Sequence, residues 1–166
     1  LDEEVSGFIV NPMRFSDASK ISTLTGADYG WNSISYEAEK SWDKAIEIIA
    51  GEMKEEFKIF ANHSTRLDTG RPDSPEIKNT IDSLWGKWEA GSDISLELSN
   101  LQNEFSKMVQ VPNKLRSNLE NKALLNQLDS HLSKFEIYGN AGLKSIEILQ
   151  DILNKDMSEF WSDNFE

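Results

Sequence analysis

The sequence predicts an all-α protein made of several packed helices. Three observations carry that expectation. Apolar residues recur at spacings of three and four over most of the chain. Gly and Pro are few, at 9 and 4 of 166 residues. No segment shows the strict alternation that marks a half-buried strand. A hydrophobic share of 38% and a charged share of 28% suit a folded rather than a disordered chain.

Taken in order, residues 1–24 carry Val5, Phe8, Ile9, Met13, Phe15, Ile21 and Leu24, which would line one helical face if Pro12 did not kink it. Thr25-Gly26-Ala27-Asp28-Tyr29-Gly30 reads as a turn. From Ser35 to about Leu67, the residues Trp42, Ala45, Ile46, Ile49, Met53, Phe57 and Phe60 form one helical stripe. The stretch 67–73 breaks it. Ser74, Pro75 and Glu76 then supply a capping hydroxyl, a first-turn proline and an acid at the positive end of the helix dipole.

The following helix is expected to run from Ile77 through Ile81, Leu84, Trp85 and Trp88 to Phe105 and Met108, weakened at Gly86 and Gly91. Val111-Pro112-Asn113 reads as a boundary. A helix from about Lys114 to Tyr138 follows, with Gly139–Gly142 as its cap, and a last helix runs from Leu143 to about Trp161. The organisation expected is a three-helix bundle over residues 1–110, then a helical hairpin or incomplete second bundle over 111–166.

Charge and composition exclude several function classes. Seventeen basic against 29 acidic residues leave a formal charge of -12, which repels phosphate backbones and anionic lipid, so nucleic acid is not an expected partner. No apolar run approaches the roughly 20 residues that span a bilayer, and direct membrane insertion is not expected. The absence of Cys removes disulfides, thiolate nucleophiles and cysteine zinc sites. A first residue other than Met, with no basic start before an apolar stretch, reads as an excised or processed chain without a targeting signal.

Chemistry-bearing motifs are scarce. His63 and His131 lie far apart, and Glu52, Glu55 and Glu56 read as a solvated face paired with Lys54 and Lys58 rather than as a metal site. No phosphate loop, dinucleotide fingerprint, EF-hand or nucleophile motif occurs, so neither catalytic residues nor a cofactor is expected. Asn62-His63-Ser64 meets the glycosylation pattern, a short motif common by chance. Trp42, Trp85 and Trp88 lie on apolar stripes and read as core, with Trp85 and Trp88 at the stripe's edges, where one of them can protrude. Trp31, after a turn, is ambiguous. Phe160, Trp161 and Phe165 near the acidic C-terminus are the candidate partner-binding residues, with self-association as a further outcome.

The stretch Leu67 to Trp88, LDTGRPDSPEIKNTIDSLWGKW, resembles the middle of a spectrin repeat, at Gly70, Pro72, Asp73, Glu76, Ile77, Lys78, Ile81, Leu84 and Trp88. Asp28-Tyr29-Gly30 resembles the turn that joins the first two helices of that family, and Phe15 falls where the first helix carries a tryptophan. The resemblance spans about residues 1–108. It implies a spectrin-like bundle with Phe15, Trp42, Ile77, Ile81, Leu84 and Trp88 in its core. It also implies a non-enzymatic scaffold of the spectrin, dystrophin or nesprin kind. Its location would be cytoplasmic, cytoskeleton-associated or at the nuclear envelope, with cytoskeletal or nuclear-envelope proteins as partners. Two other readings are a ligand-sensing helical bundle of a receptor and a bacterial secreted helical subunit. The Leu124–Phe160 hairpin resembles type III needle subunits. A sensor would gather polar groups around a cavity; a repeat would keep a dry core around Trp88.

Overall fold

The computed structural model describes residues 7–11, 14–64 and 74–154. Its elements are α1 (Ser16–Trp31), α2 (Ala38–Ala50), a 3-10 turn (Gly51–Met53), α3 (Lys54–Asn62), α4 (Pro75–Glu89), α5 (Ser95–Asn118) and α6 (Lys122–Asn154). Among the described residues there is no strand, and the protein is all-α. The chain divides into two compact units: residues 1–61 with 111–133, and residues 62–110 with 134–166. Both α5 and α6 therefore contribute residues to each unit. Pro12, the 67–73 break and the tail residues Phe160, Trp161 and Phe165 lie outside the described residues.

Unit 1 begins with residues 7–11 in non-helical backbone laid against α1. No side chain of its own caps the start of α1. Gln127 of α6 does so instead: its Oε1 accepts from the backbone N–H of Asp17 at 2.9 Å and of Ala18 at 3.3 Å, and its Nε2 donates to Asp17 Oδ2 at 3.0 Å. Two first-turn N–H groups are thereby satisfied by a residue 110 positions away. Lys20, hydrogen-bonded to Asp17, holds that carboxyl below its ordinary range against the opposing effect of burial. Phe15 is half-buried and meets His131 edge-on at 5.8 Å. Ile46, Phe57, Phe60, Leu115, Leu124 and Leu132 are among the buried residues of this unit. Trp42 is half-buried.

Unit 2 has a core of Leu84, Ile94, Leu98, Leu101 and Ile146, against which Ile77, Ile81, Trp88, Phe105 and Leu149 pack half-buried. Leu84 is the most deeply buried of these five. Trp85 is the edge tryptophan that protrudes, 52% exposed, with its ring T-shaped against Trp88 at 6.3 Å.

Several element boundaries differ from those the sequence implies. Thr25–Gly30 is not a turn but the last part of α1. There Gly26 and Gly30, one helical turn apart, clear room for the 7–11 segment: a Cβ at Gly30 would lie 2.7 Å from Phe8 Cζ, and one at Gly26 would lie 3.3 Å from Val10 Cγ2. The 35–67 helix is interrupted at Gly51, which takes φ +57° and ends α2 before the 3-10 turn. The 77–108 helix is interrupted at Gly91, whose φ of +65° ends α4.

Val111–Asn113, by contrast, does not end a helix. Pro112 lies inside α5, fully buried between buried Val111 and Leu115. A proline inside a helix costs about 3 kcal/mol, and the burial of these three side chains offsets it. Gly139–Gly142 is not a cap either, because α6 passes through it unbroken. A Cβ at Gly139 would come 2.9 Å from the Phe105 carbonyl oxygen, and one at Gly142 would come 2.5 Å from the Phe105 ring. These glycines are spaces for α5, not stops.

Candidate functional site

Two places in the described residues concentrate chemistry: a buried polar centre in unit 2 and a set of exposed apolar residues in unit 1. The polar centre forms where the end of α3, the residue before α4 and the middle of α5 meet. Ser74 is the N-cap of α4, but its side chain makes no capping bond. Its hydroxyl is drawn instead to His63 Nδ1. His63 Nε2 lies 2.8 Å from Glu104 Oε1, and Glu104 Oε2 lies 2.7 Å from Lys107 Nζ. The His63 ring also packs on Phe135 at 5.6 Å.

Burial pushes the Glu104 carboxyl up, but its hydrogen bonds to Lys107 and His63 outweigh that, and the group is held below the ordinary glutamate range. An ionised carboxylate only accepts, so His63 Nε2 carries the hydrogen. In the neutral ring Nδ1 is then the acceptor, and the Ser74 hydroxyl donates to it. Ser74 holds φ 49°, a left-handed backbone that an L side chain adopts at a cost.

A serine, a histidine and an acid in a chain of hydrogen bonds invite comparison with a hydrolytic triad. Two features separate them. The nitrogens are exchanged relative to the usual arrangement, with serine on Nδ1 and the acid on Nε2. The His63 side chain is only 3% exposed and Ser74 is buried, whereas a hydrolytic serine and histidine face the substrate. What the arrangement does is join three segments with a fully bonded polar centre. A cleft of about 200 Å3 beside it, lined by Ile77, Thr80, Asn100, Leu101, Asn103 and Glu104, meets a carboxylate already engaged on both oxygens.

A buried acid in unit 2, Glu97, sits in the first turn of α5. Its Oε1 takes Lys87 Nζ at 2.7 Å and the Ser83 hydroxyl at 3.1 Å, and Lys87 chiefly keeps it below the ordinary range. The acids read as a solvated cluster are partly spoken for elsewhere. Glu56 pairs with Lys114 at 3.3 Å, Lys54 with Glu47 at 3.4 Å and Lys58 with Asp43 at 2.7 Å. Among the described residues no three His, Cys, Asp or Glu side chains gather to hold a metal ion. His63 and His131 belong to different units.

The exposed apolar residues are in unit 1. Ile9 is 96% exposed, Trp31 93% and Ile34 91%. Phe8 and Tyr29 beside them are partly exposed, and Tyr29 stacks edge-on against Tyr36 at 5.2 Å. Sequence periodicity could not find them, since they come from a non-helical segment and the end of a helix that the sequence presents as a turn.

The sequence model of the family described as hyaluronidase post-catalytic domain-like matches residues 76–166, more than half of the chain. The chain belongs to that family. A second family model, described as beta-N-acetylglucosaminidase, matches residues 1–62. Among solved structures, that of CpGH84B is 98% identical over 99% of the chain, with a TM-score of 0.88. The chain spans 29% of the length of CpGH84B. The structure of CpGH84D shares the fold at 20% identity, with a TM-score of 0.73 over 82% of this chain and 24% of that one.

Membership in the post-catalytic family overturns the spectrin-repeat resemblance. With it go the cytoskeletal scaffold function, the receptor and secreted-subunit alternatives, the cytoskeletal and nuclear-envelope partners, and the cytoplasmic or nuclear-envelope location, all of which lacked any other support. The physical reason is plain. A helix-start signal followed by Ile, Leu and Trp on one stripe is what any bundle helix needs. The second matching segment, Asp28-Tyr29-Gly30, is helical here instead of a turn. Among the described residues no helix is long and apolar enough to cross a membrane.

Proposed function

We propose that this chain is the helical post-catalytic module of a longer glycoside hydrolase that acts on β-N-acetylglucosaminides, and that it supports the catalytic region without supplying reacting groups. The observation that carries this is the family match over residues 76–166, in a chain that spans 29% of CpGH84B. The chemistry agrees with a supporting role. Glycoside hydrolysis runs on a pair of accessible carboxylates flanking the scissile bond, whereas Glu97 and Glu104 are each tied to lysine and to a neighbouring hydroxyl or imidazole.

The test is hydrolysis of a fluorogenic aryl β-N-acetylglucosaminide by the full-length protein and by this chain alone. Turnover by the full-length protein and none by this chain is the expected result. Turnover by this chain alone, or none by the full-length protein, overturns the reading.

A further inference from the structure

We infer that Trp85, on the solvent side of α4, is a stacking platform for a neutral oligosaccharide of β-N-acetylglucosamine, an inference that rests on the reading of this chain as part of a hydrolase for such glycosides. The site is built on one helix of unit 2. Lys78, Asp82, Trp85 and Glu89 follow one another at spacings of four, three and four, which places them on a single stripe of α4. All four are exposed, while Ile81, Leu84 and Trp88 take part in the core of the unit.

Trp85 is held, uncovered and flanked by acceptors. It is held by Trp88, which is anchored half-buried against the core and meets it T-shaped at 6.3 Å with the planes at 68°. A ring fixed beforehand loses little conformational entropy when a ligand lands on it. It is uncovered at Gly86, which at 100° per residue lies around the helix on the opposite side of Trp85 from Trp88. A Cβ at Gly86 would have nothing within 4 Å, whereas Gly26, Gly30, Gly139 and Gly142 each make room for a neighbouring segment. Gly86 therefore costs the helix about 1 kcal/mol relative to alanine without serving any contact within the described residues. The flanking acceptors are Asp82, hydrogen-bonded to Lys78 and one turn before the ring, and exposed Glu89, one turn after it.

The chemistry of the stripe selects the ligand. A protein interface gathers several apolar anchors at its centre and leaves charge to the rim, but here one aromatic ring stands among three charged residues. A second copy would bring its own acids and a formal charge of -12 to the same place. That charge also repels a uronate-bearing glycan. A β-N-acetylglucosamine ring is neutral, and its all-equatorial substituents leave only C–H groups on each face. Those weakly positive C–H groups suit the negative face of an indole. The hydroxyl and amide groups around the sugar's edge are donors for carboxylates such as Asp82 and Glu89.

The test is proton–nitrogen correlation NMR of this chain, in which each tryptophan gives its own indole N–H resonance. The probe is tri-N-acetylchitotriose, with hyaluronan tetrasaccharide as the anionic comparison. Trp85→Ala identifies the Trp85 resonance by its loss. That resonance is expected to move saturably with chitotriose, and the backbone resonances of Asp82 and Glu89 to move with it. In Trp85→Ala, affinity read from those backbone shifts is expected to fall at least about fivefold. Hyaluronan tetrasaccharide is expected to bind at least about tenfold more weakly than chitotriose. A Trp85 resonance that stays still, or equal affinity in Trp85→Ala, overturns the platform. Equal binding of hyaluronan overturns the neutral class of ligand. Gly86→Leu provides the second arm, because it sets a side chain beside the ring without entering the core. It is expected to weaken binding at an unchanged melting temperature, and undiminished binding counts against the platform. Hydrolysis of the aryl glycoside by the full-length protein is recorded in parallel. Binding at Trp85 without that hydrolysis defeats the functional reading alone, and hydrolysis with an unmoved Trp85 defeats the platform alone.

Discussion

In unit 1 the 7–11 segment and the end of α1 leave Ile9, Trp31 and Ile34 in solvent, while in unit 2 His63 and Ser74 are buried beside a half-buried Glu104. Each arrangement runs against the simple rule of apolar inside and polar outside. The polar centre of unit 2 is self-sufficient, because every hydrogen-bonding atom named in it has a partner. The exposed apolar groups of unit 1 are not, because no local arrangement removes them from water. The two units therefore respond differently to substitution. Unit 2 loses stability when its interior changes, and substitution of the exposed apolar residues of unit 1 changes the stability of this chain little.

The largest effect is expected at the centre of unit 2. Leu84→Ala and Trp88→Ala should each lower unfolding free energy by about 3 kcal/mol, read from urea midpoints, while Trp85→Ala changes it by less than about 0.5 kcal/mol. Equal shifts for the two tryptophans would erase the distinction between core and edge. Next is Gly139→Ala, expected to cost on the order of 2 kcal/mol, since its Cβ meets the backbone carbonyl oxygen of Phe105 at 2.9 Å and backbone yields little. Gly86→Ala, with nothing within 4 Å of its Cβ, should instead gain up to about 1 kcal/mol. Opposite signs for two helical glycines would show that packing, not propensity, decides.

The polar centre gives a middle-sized effect with a pH signature. Removing one partner, as in Glu104→Gln, is expected to cost about 1–2 kcal/mol near neutrality. Glu104 has a folded-state pKa below its ordinary value, so its contribution is complete above the unfolded value. It is then lost as pH falls through the folded one. Chemical denaturation of the wild type should weaken as pH is lowered from about 5 toward 3, near and below the reference glutamate pKa of about 4.3. The slope should be shallower in Glu104→Gln. Parallel slopes would remove Glu104 from the account. The smallest effect closes the comparison: Trp31→Ser should shift the melting of this chain alone by no more than a degree or so, because a 93% exposed side chain has little packing to lose.

Much of the architecture was legible in the residues. The stripe from Ile77 to Trp88 is helical as its spacing of three and four implies, although the expected helix ran on to Met108 and α4 ends at Glu89. The breaks were harder to read, and for a definite reason. The meaning of Gly and Pro depends on what lies opposite. Gly51 and Gly91, within stretches that read as continuous helix, end helices at positive φ. Gly26, Gly30, Gly139 and Gly142 lie inside helices as clearance for a neighbouring segment, and Pro112 lies inside one because its surroundings are buried. The spectrin resemblance failed for a related reason. Its motif was composed of helix-start and stripe signals that unrelated bundles share.

By itself the sequence determined the helical class, the apolar stripes and the shortage of reactive groups, since each follows from local spacing and composition. Tertiary structure alone decided which glycines are stops and which are hollows, that Gln127 caps α1 across 110 residues, that His63 finds Ser74 and Glu104, and that Ile9, Trp31 and Ile34 are each left exposed. These are matters of which distant residues meet, and no local pattern records them.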